Sequence, residues 1–218
     1  MVIKVDKRTV IVFDLDDTLF NEIDYLRSAY IDIAKKVDYE NWQLLFVKMF
    51  SLYRHKRDVF EMVSKSYGYK KADLLKLYRE HSPSIEPSEG VIELLNSIKR
   101  KKGKIAVITD GRKVAQKAKL NALKIHEYFD KIIISEELGT EKPHLNNYLS
   151  VENAYPNHKY LYIADNLKKD FIQPNKLGWK SIGLVDSGLN IHHDAHLFST
   201  KVYLPERFIF NLKEIEII

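Results

Sequence analysis

Three aspartates are crowded into one short segment near the start of the chain. Asp14, Asp16 and Asp17 lie within DLDDTL, directly after the apolar run TVIVF. Carboxylates this close repel one another and lose hydration energy unless a cation lies among them. Magnesium prefers oxygen ligands and retains some of its water, so it suits such a group. The segment predicts a metal-assisted site, and a polar turn at the end of a strand is the alternative.

Five short apolar runs predict the strands of a sheet that would hold this segment in place. Each suits a strand buried on both faces, and they are Thr9–Phe13, Lys104–Thr109, Lys131–Ser135, Tyr160–Ala164 and Ser181–Val185. Helical patterns lie between them at Val91–Lys101, Arg112–Leu123 and Lys168–Lys176. Alternating strands and helices predict an α/β fold, a Rossmann-like parallel sheet flanked by helices. Ligands bind beyond the carboxyl ends of the strands in such folds, so the acids and hydroxyls that follow these runs should face one cleft.

The alternation is interrupted between residues 21 and 87, where only helical periodicity occurs. Apolar residues such as Ile23, Leu26 and Tyr30 recur every three or four positions, and the proline-containing SPS and EPSEG close the interval. We predict an inserted all-helical cap domain at 21–87 and a core domain formed by 1–20 and 88–218. The many aromatic residues of the insertion are interpreted as its own small core, with a base-stacking or sugar-binding lid as the alternative.

Composition excludes several classes of protein. The 218 residues contain no cysteine, which rules out disulfides, thiolate metal sites and a cysteine nucleophile. No stretch approaches the roughly 18 apolar residues of a membrane span, so we predict a cytoplasmic protein without a membrane partner. The net charge of +5 is spread along the chain rather than gathered in a basic arm, which argues against nucleic acid as a partner.

The segment FDLDDTL resembles the first motif, DxDxT, of the haloacid dehalogenase-like (HAD) superfamily. Three further motifs should then follow at successive strand ends, and all three occur in the expected order. The resemblance spans roughly Val10–Val185, and a helical insertion between the first two motifs matches the commonest cap position of the family.

Thr109, Asp110 and Gly111 match the second motif, and Lys142 in GTEKP matches the third. The resemblance implies that these four residues bind substrate and that Thr109 and Lys142 also take part in catalysis. A hydroxyl can donate to a phosphoryl oxygen, a glycine at a helix N-terminus lets the backbone approach an anion, and an ammonium offsets charge on the transferring group. A plain helix start and a solvated lysine are the alternatives.

The fourth motif is the acidic pair Asp165 and Asp170 in YIADNLKKD. The resemblance implies a magnesium site formed by Asp14, the backbone carbonyl of Asp16, and Asp165, with Asp170 in the same acidic set. Its position one helical turn later leaves open whether Asp170 binds the metal or Lys142. Helix capping by Asp165 and backbone hydrogen bonding by Asp170 are the alternatives.

The implied activity is magnesium-dependent hydrolysis of a small phosphomonoester. Asp14 would attack phosphorus to form an aspartyl-phosphate, and Asp16 would serve as acid and then as base. Dehalogenases of the superfamily lack this second acid, so Asp16 favours phosphoryl transfer. A sugar phosphomutase uses the same acids and stays open, as does a non-catalytic phosphate-binding module.

The sequence does not choose between nucleotides and sugar phosphates as the small phosphorylated partner, and it indicates no oligomeric state. A histidine-rich segment with His192, His193 and His196 lies outside every motif and is interpreted as a surface loop.

Overall fold

The apolar runs pair side by side in one parallel sheet. The computed structural model describes residues 1–218 and has these strands: β1 (Val2–Ile3), β2 (Thr9–Phe13), β3 (Lys104–Thr109), β4 (Lys131–Ile134), β5 (Lys159–Ala164), β6 (Lys180–Leu184), β7 (Arg207–Ile209) and β8 (Glu216–Ile217). Six of them form the main sheet in the order β4-β3-β2-β5-β6-β7, and β1 pairs with β8 in a separate two-stranded sheet. All pairings are parallel. The predicted α/β fold class is confirmed.

Strand β7 was not predicted, and its position explains why. It is only three residues long and forms the edge of the sheet, where Arg207 and Phe208 remain exposed. An edge strand with one buried residue shows neither a continuous apolar run nor a clear alternation.

Nine helices accompany the strands. They are α1 (Glu22–Val37), α2 (Trp42–Arg54), α3 (Val59–Tyr67), α4 (Lys71–Glu80), α5 (Val91–Arg100), α6 (Lys113–Ala122), α7 (Ser135–Leu138), α8 (Leu145–Ala154) and α9 (Ile172–Leu177). Helix α9 begins four residues later than predicted, because residues 166–170 form a turn in which the Asp170 amide donates to the Asn166 carbonyl at 3.0 Å. None of these helices is long and apolar enough to span a bilayer.

The chain forms two compact units, Met1–Glu22 with Glu86–Ile218 and Ile23–Ile85. The boundaries expected from the sequence, after residues 20 and 87, differ from these by two residues each. In the larger unit every residue of β2 is buried. Val10 and Val12 pack in one cluster with Tyr148, Val151 and Phe171, and the alternate residues of the strand face the opposite side of the sheet.

The unit Ile23–Ile85 has its own apolar centre, which contains Ile33, Leu45, Met49, Val63 and Leu74. The Tyr30 ring meets Tyr53 and Phe60 edge-on, with centroids 6.4 and 6.1 Å apart, so these aromatics pack against one another. A cavity of about 600 Å³ lies between α1 and α4 of this unit, and its lining includes none of the site residues predicted from the sequence.

The strand order places the ends of β2 and β5 next to each other. From β2 the chain adds β3 and β4 on one side and then crosses to add β5, β6 and β7 on the other. The pair β2 and β5 is therefore the point where the direction of winding reverses. Ligands of open α/β sheets bind outside the carboxyl ends of the strands at this point.

Candidate active site

Side chains from four segments meet at that edge of the sheet. Asp14 follows β2, Thr109 ends β3, Lys142 lies in the loop between α7 and α8, and Asp165 follows β5. The Asp14 backbone amide donates to the Ile163 carbonyl of β5 at 3.0 Å, which ties the two strand ends together. A cavity of about 250 Å³ opens here and is lined mainly by carboxylates, including those of Asp14 and Asp165.

Lys142 lies at the centre of the cluster. Its side chain is completely buried, and its ammonium lies 2.7 Å from Asp14 Oδ1, 2.7 Å from Asp170 Oδ1 and 3.3 Å from the Tyr162 hydroxyl. These three acceptors match the three hydrogens of the ammonium group. Burial acts to lower the pKa of Lys142, but the charges of Asp14 and Asp170 outweigh it and raise that pKa well above its usual value. Lys142 is thus a fixed positive charge beside Asp14.

Negative charge exceeds positive charge in this cluster. Carboxylate oxygens of Asp14, Asp165 and Asp170 lie within 4.8 Å of one another. Burial raises the pKa of Asp14 to about 7 despite the opposing effect of Lys142. Burial and the charge of Asp14 raise the pKa of Asp165 well above its usual value. If all three carboxylates are ionised, the single Lys142 ammonium leaves two negative charges, which one divalent cation would balance.

Asp165 is held in place by hydrogen bonds to both carboxylate oxygens. Thr18 donates its hydroxyl to Oδ1 at 3.1 Å, and the Asn190 side-chain amide donates to Oδ2 at 2.9 Å. Asn190 belongs to the segment that follows β6. The next residue of this segment, Ile191, donates its backbone amide to Asp17 Oδ2 at 2.8 Å. This segment therefore fixes the orientation of one predicted metal ligand from outside the motifs.

Asp17 organises the loop after β2. Its other oxygen accepts the Glu22 amide at 2.8 Å, and burial raises its pKa to about 6. Burial and the neighbouring charge of Asp16 raise the pKa of Glu22 to about 8. Both groups add to the acidic character of the cavity that they line.

Asp170 is fully buried, and protein donors use both of its oxygens. Oδ1 accepts from Lys142 and, at 3.0 Å, from the Tyr162 hydroxyl, while Oδ2 accepts the Asn166 backbone amide at 3.0 Å. The sequence left open whether Asp170 binds the metal or Lys142. It contacts Lys142 directly and also lies within the carboxylate cluster. The observed bonds favour a role in holding Lys142.

Asp16 points toward helix α6. Its Oδ1 lies 2.6 Å from the Lys119 ammonium, and its Oδ2 accepts from the Gln116 side-chain amide at 2.8 Å. Gln116 also donates to the Thr109 hydroxyl. One buried helix face therefore joins two residues that the sequence predicted as catalytic.

Asp110 and Gly111, predicted to bind substrate, make hydrogen bonds to neighbouring loops of the protein. Asp110 accepts the Lys142 backbone amide at 3.0 Å and the Lys169 ammonium at 2.9 Å, so its carboxylate connects two loops of the site. The Gly111 amide donates to the Ser135 hydroxyl at 2.8 Å. At the start of α6, Glu136 accepts the Lys113 amide at 2.8 Å. The backbone amides of Gly111 and Lys113 therefore donate to protein side chains at the start of α6.

Sequence reasoning overlooked several residues that contact the predicted ones, namely Gln116, Lys119, Tyr162, Lys169 and Asn190. Gln116 and Lys119 could have been predicted to act together, because polar residues three positions apart on a helix lie on the same face. Tyr162 was hidden inside an apolar strand pattern. Asn190 and His192 follow the last predicted strand, and no local pattern shows that this loop returns to the site, where His192 lines the cavity.

Comparison with known proteins agrees with this geometry. The family model for haloacid dehalogenase-like hydrolases matches residues 11–184. The chain is 29% identical to a glyceraldehyde 3-phosphate phosphatase of Methanocaldococcus jannaschii, with 80% of this chain and 84% of that protein covered. It is 27% identical to a pyrimidine 5'-nucleotidase of Escherichia coli, with 84% and 86% covered.

A solved structure shares the fold. The crystal structure of a protein from Thermotoga maritima, described as a proposed β-phosphoglucomutase, superimposes with a TM-score of 0.67 at 20% identity and covers 94% of this chain and 95% of that one. At this identity the likeness establishes the architecture.

Proposed function

Because the chain belongs to the haloacid dehalogenase-like hydrolase family, we propose that it is a magnesium-dependent phosphatase that cleaves a small phosphomonoester through an aspartyl-phosphate on Asp14. The observation that carries the proposal is the buried contact of Asp14 with Lys142, at 2.7 Å, beside Asp165 at the reversal point of the sheet. Phosphatase relatives, similar to this chain over most of their length, support the same reaction class.

The proposed reaction has two steps, formation of the aspartyl-phosphate and its hydrolysis. An Asp14 oxygen forms a bond to phosphorus while the bond from phosphorus to the ester oxygen breaks, and Asp16 gives its proton to that leaving oxygen. A water oxygen then attacks phosphorus, its proton passes to Asp16, and inorganic phosphate leaves as Asp14 is regenerated. Lys142 and the Thr109 hydroxyl stabilise the charge on the phosphoryl oxygens during both steps.

The carboxylate cluster fits magnesium. Its donors are oxygen atoms, which this ion prefers, and a divalent charge would favour the ionised forms of Asp14 and Asp165, whose burial raises their pKa. Asp14, Asp165 and the backbone carbonyl of Asp16 would hold the ion, and Asp170 would act mainly through Lys142. The ion would supply positive charge that stabilises the transferring phosphoryl group.

Phosphate release from a panel of substrates tests the proposal. The panel contains glyceraldehyde 3-phosphate, pyrimidine nucleoside monophosphates, sugar phosphates and an aryl phosphate, each with magnesium or with a chelator. We expect magnesium-dependent release of inorganic phosphate from at least one member. Conversion of a sugar phosphate to its isomer, with dependence on a bisphosphate primer and without free phosphate, would show a mutase instead. The absence of phosphate release from every substrate would contradict the proposal.

Asn190 provides a test of the metal site that does not depend on turnover. The variant Asn190→Ala removes the hydrogen bond that orients Asp165, and we expect magnesium to bind about 10- to 100-fold more weakly. Binding is read from the rise in melting temperature during a magnesium titration. Asn121→Ala, a change at an exposed position on α6, is the control and should leave the titration unchanged. An unaltered titration for Asn190→Ala would exclude this role.

The unit Ile23–Ile85 is proposed to select the leaving group, as the resemblance implies for an insertion at this place in the chain. By the same resemblance the core residues handle the phosphoryl group, so the choice among phosphomonoesters would come from the insertion.

A further inference from the structure

Gln116 is a buried amide that connects two predicted catalytic side chains. It is 1% exposed, donates to Asp16 Oδ2 at 2.8 Å and donates to the Thr109 hydroxyl. A carboxylate only accepts hydrogen bonds, so the side-chain atom that faces Asp16 must be the NH₂ group. Gly111 is in close contact with it, because a Cβ built there would lie 3.1 Å from Gln116 Cδ. The amide is therefore confined by packing as well as by hydrogen bonds.

Lys119 lies one helical turn further along the same face of α6. Its side chain is 5% exposed, and its ammonium lies 2.6 Å from Asp16 Oδ1 and 3.8 Å from Glu22 Oε1. Each Asp16 oxygen thus receives one hydrogen bond from α6. Because a carboxylate oxygen can accept two hydrogen bonds, each retains a lone pair for the proton that Asp16 exchanges.

We propose that Gln116 and Lys119 are positioning residues that hold the Asp16 carboxyl group and the Thr109 hydroxyl in their reactive orientations. The inference rests on the proposed phosphatase function and adds two residues outside the four motifs. Gln116 acts on both partners. By donating to the Thr109 oxygen, it leaves the hydroxyl hydrogen of Thr109 directed elsewhere, available to a phosphoryl oxygen. Lys119 acts on Asp16 and not on Thr109.

This difference predicts different defects for the two residues. Protonation by Asp16 matters for an alkyl phosphate, whose leaving oxygen is strongly basic, and matters little for p-nitrophenyl phosphate, whose leaving group departs as a stable phenolate. The ratio kcat/KM covers the steps up to the first irreversible one, here the transfer of phosphorus to Asp14. A misplaced Asp16 therefore lowers kcat/KM for the alkyl ester selectively, whereas a general structural defect lowers both values together.

The experiment compares Lys119→Met with wild type on an alkyl substrate from the panel above and on p-nitrophenyl phosphate. We expect kcat/KM to fall roughly 10²-fold for the alkyl ester, and less than about threefold for the aryl ester because that step needs little protonation. Lys119→Arg should recover part of the loss. Lys117→Met removes a partly exposed lysine, whose side chain is 43% exposed, from the same helix and is the matched control. Should Lys119→Met fail to fold, Lys119→Ala, which also removes the donor, is read in the same way.

Gln116→Met should show a second signature. Because Thr109 also loses its partner, we expect weaker inhibition by inorganic phosphate and a loss of kcat/KM for both esters, still larger for the alkyl ester. Equal losses for both esters in Lys119→Met, or no loss in either, would overturn the inference while the wild-type enzyme still supports the proposed function. A wild-type protein that hydrolyses neither ester would overturn both.

Discussion

Replacing Asp14 with asparagine is expected to abolish phosphate release, with a loss of at least roughly 10⁴-fold in kcat, because the amide cannot form the bond to phosphorus. The fold should survive. Burial dominates the environment of Asp14 and raises its pKa to about 7, so the ionised carboxylate is costly to hold there. We therefore expect the free energy of unfolding of Asp14→Asn, measured in chelator by urea denaturation, to be unchanged or higher than that of wild type.

The pairing of lost activity with retained stability is the informative result for Asp14. Glu127→Gln makes the same carboxylate-to-amide change at a side chain that is 96% exposed, and it should leave both quantities unaltered. Turnover above background in Asp14→Asn would contradict a nucleophilic role. An unfolded Asp14→Asn protein would show that the carboxylate is needed for the fold, contrary to the electrostatics of the cluster.

Lys142→Met is expected to damage both activity and stability. The ammonium is completely buried, and its removal leaves Asp14 and Asp170 without the cation that each contacts at 2.7 Å. Breaking a buried ion pair by removing one partner costs about 3–5 kcal/mol of unfolding free energy. Activity should fall roughly 10²- to 10³-fold or more because charge on the phosphoryl oxygens loses its fixed counter-charge. Urea denaturation in chelator and phosphate release measure the two effects.

A double variant separates these two roles of Lys142. Lys142→Met with Asp170→Asn removes one uncompensated carboxylate, so we expect much of the lost stability to return while activity stays low. Lys180→Met, at an exposed position of β6, controls for loss of a lysine charge. If the double variant were no more stable than Lys142→Met, the buried Asp170 charge would not be the source of the instability.

The tyrosine hydroxyl beside these groups belongs to the same network. Tyr162 donates to Asp170 at 3.0 Å and accepts from Lys142 at 3.3 Å, and burial with the charge of Asp170 raises its pKa well above the usual value. It therefore remains a neutral donor that holds Asp170 beside Lys142. Lys142, Asp170 and Tyr162 form one hydrogen-bonded unit, which is why single changes within it should not be additive.

The fold class could be predicted because its signals are local. A strand buried on both faces needs a continuous apolar run, and polar residues such as Asp14, Thr109 and Asp165 mark where these runs end. The predicted runs at 9–13 and 104–109 are the observed β2 and β3. Strand β7 and the pairing of β1 with β8 were not predictable in this way, because their few residues form ladders with distant parts of the chain.

By itself, the sequence determined that this protein has parallel strands with acids at their ends, in the order of the HAD motifs. Only the tertiary structure decided what each side chain contacts. It brought Asp170 against Lys142 across 28 residues and Asn190 against Asp165 across 25, and it turned one face of α6 toward Asp16 across about 100. Such contacts depend on how separate elements pack, whereas the polarity pattern of one segment reports only on its own burial.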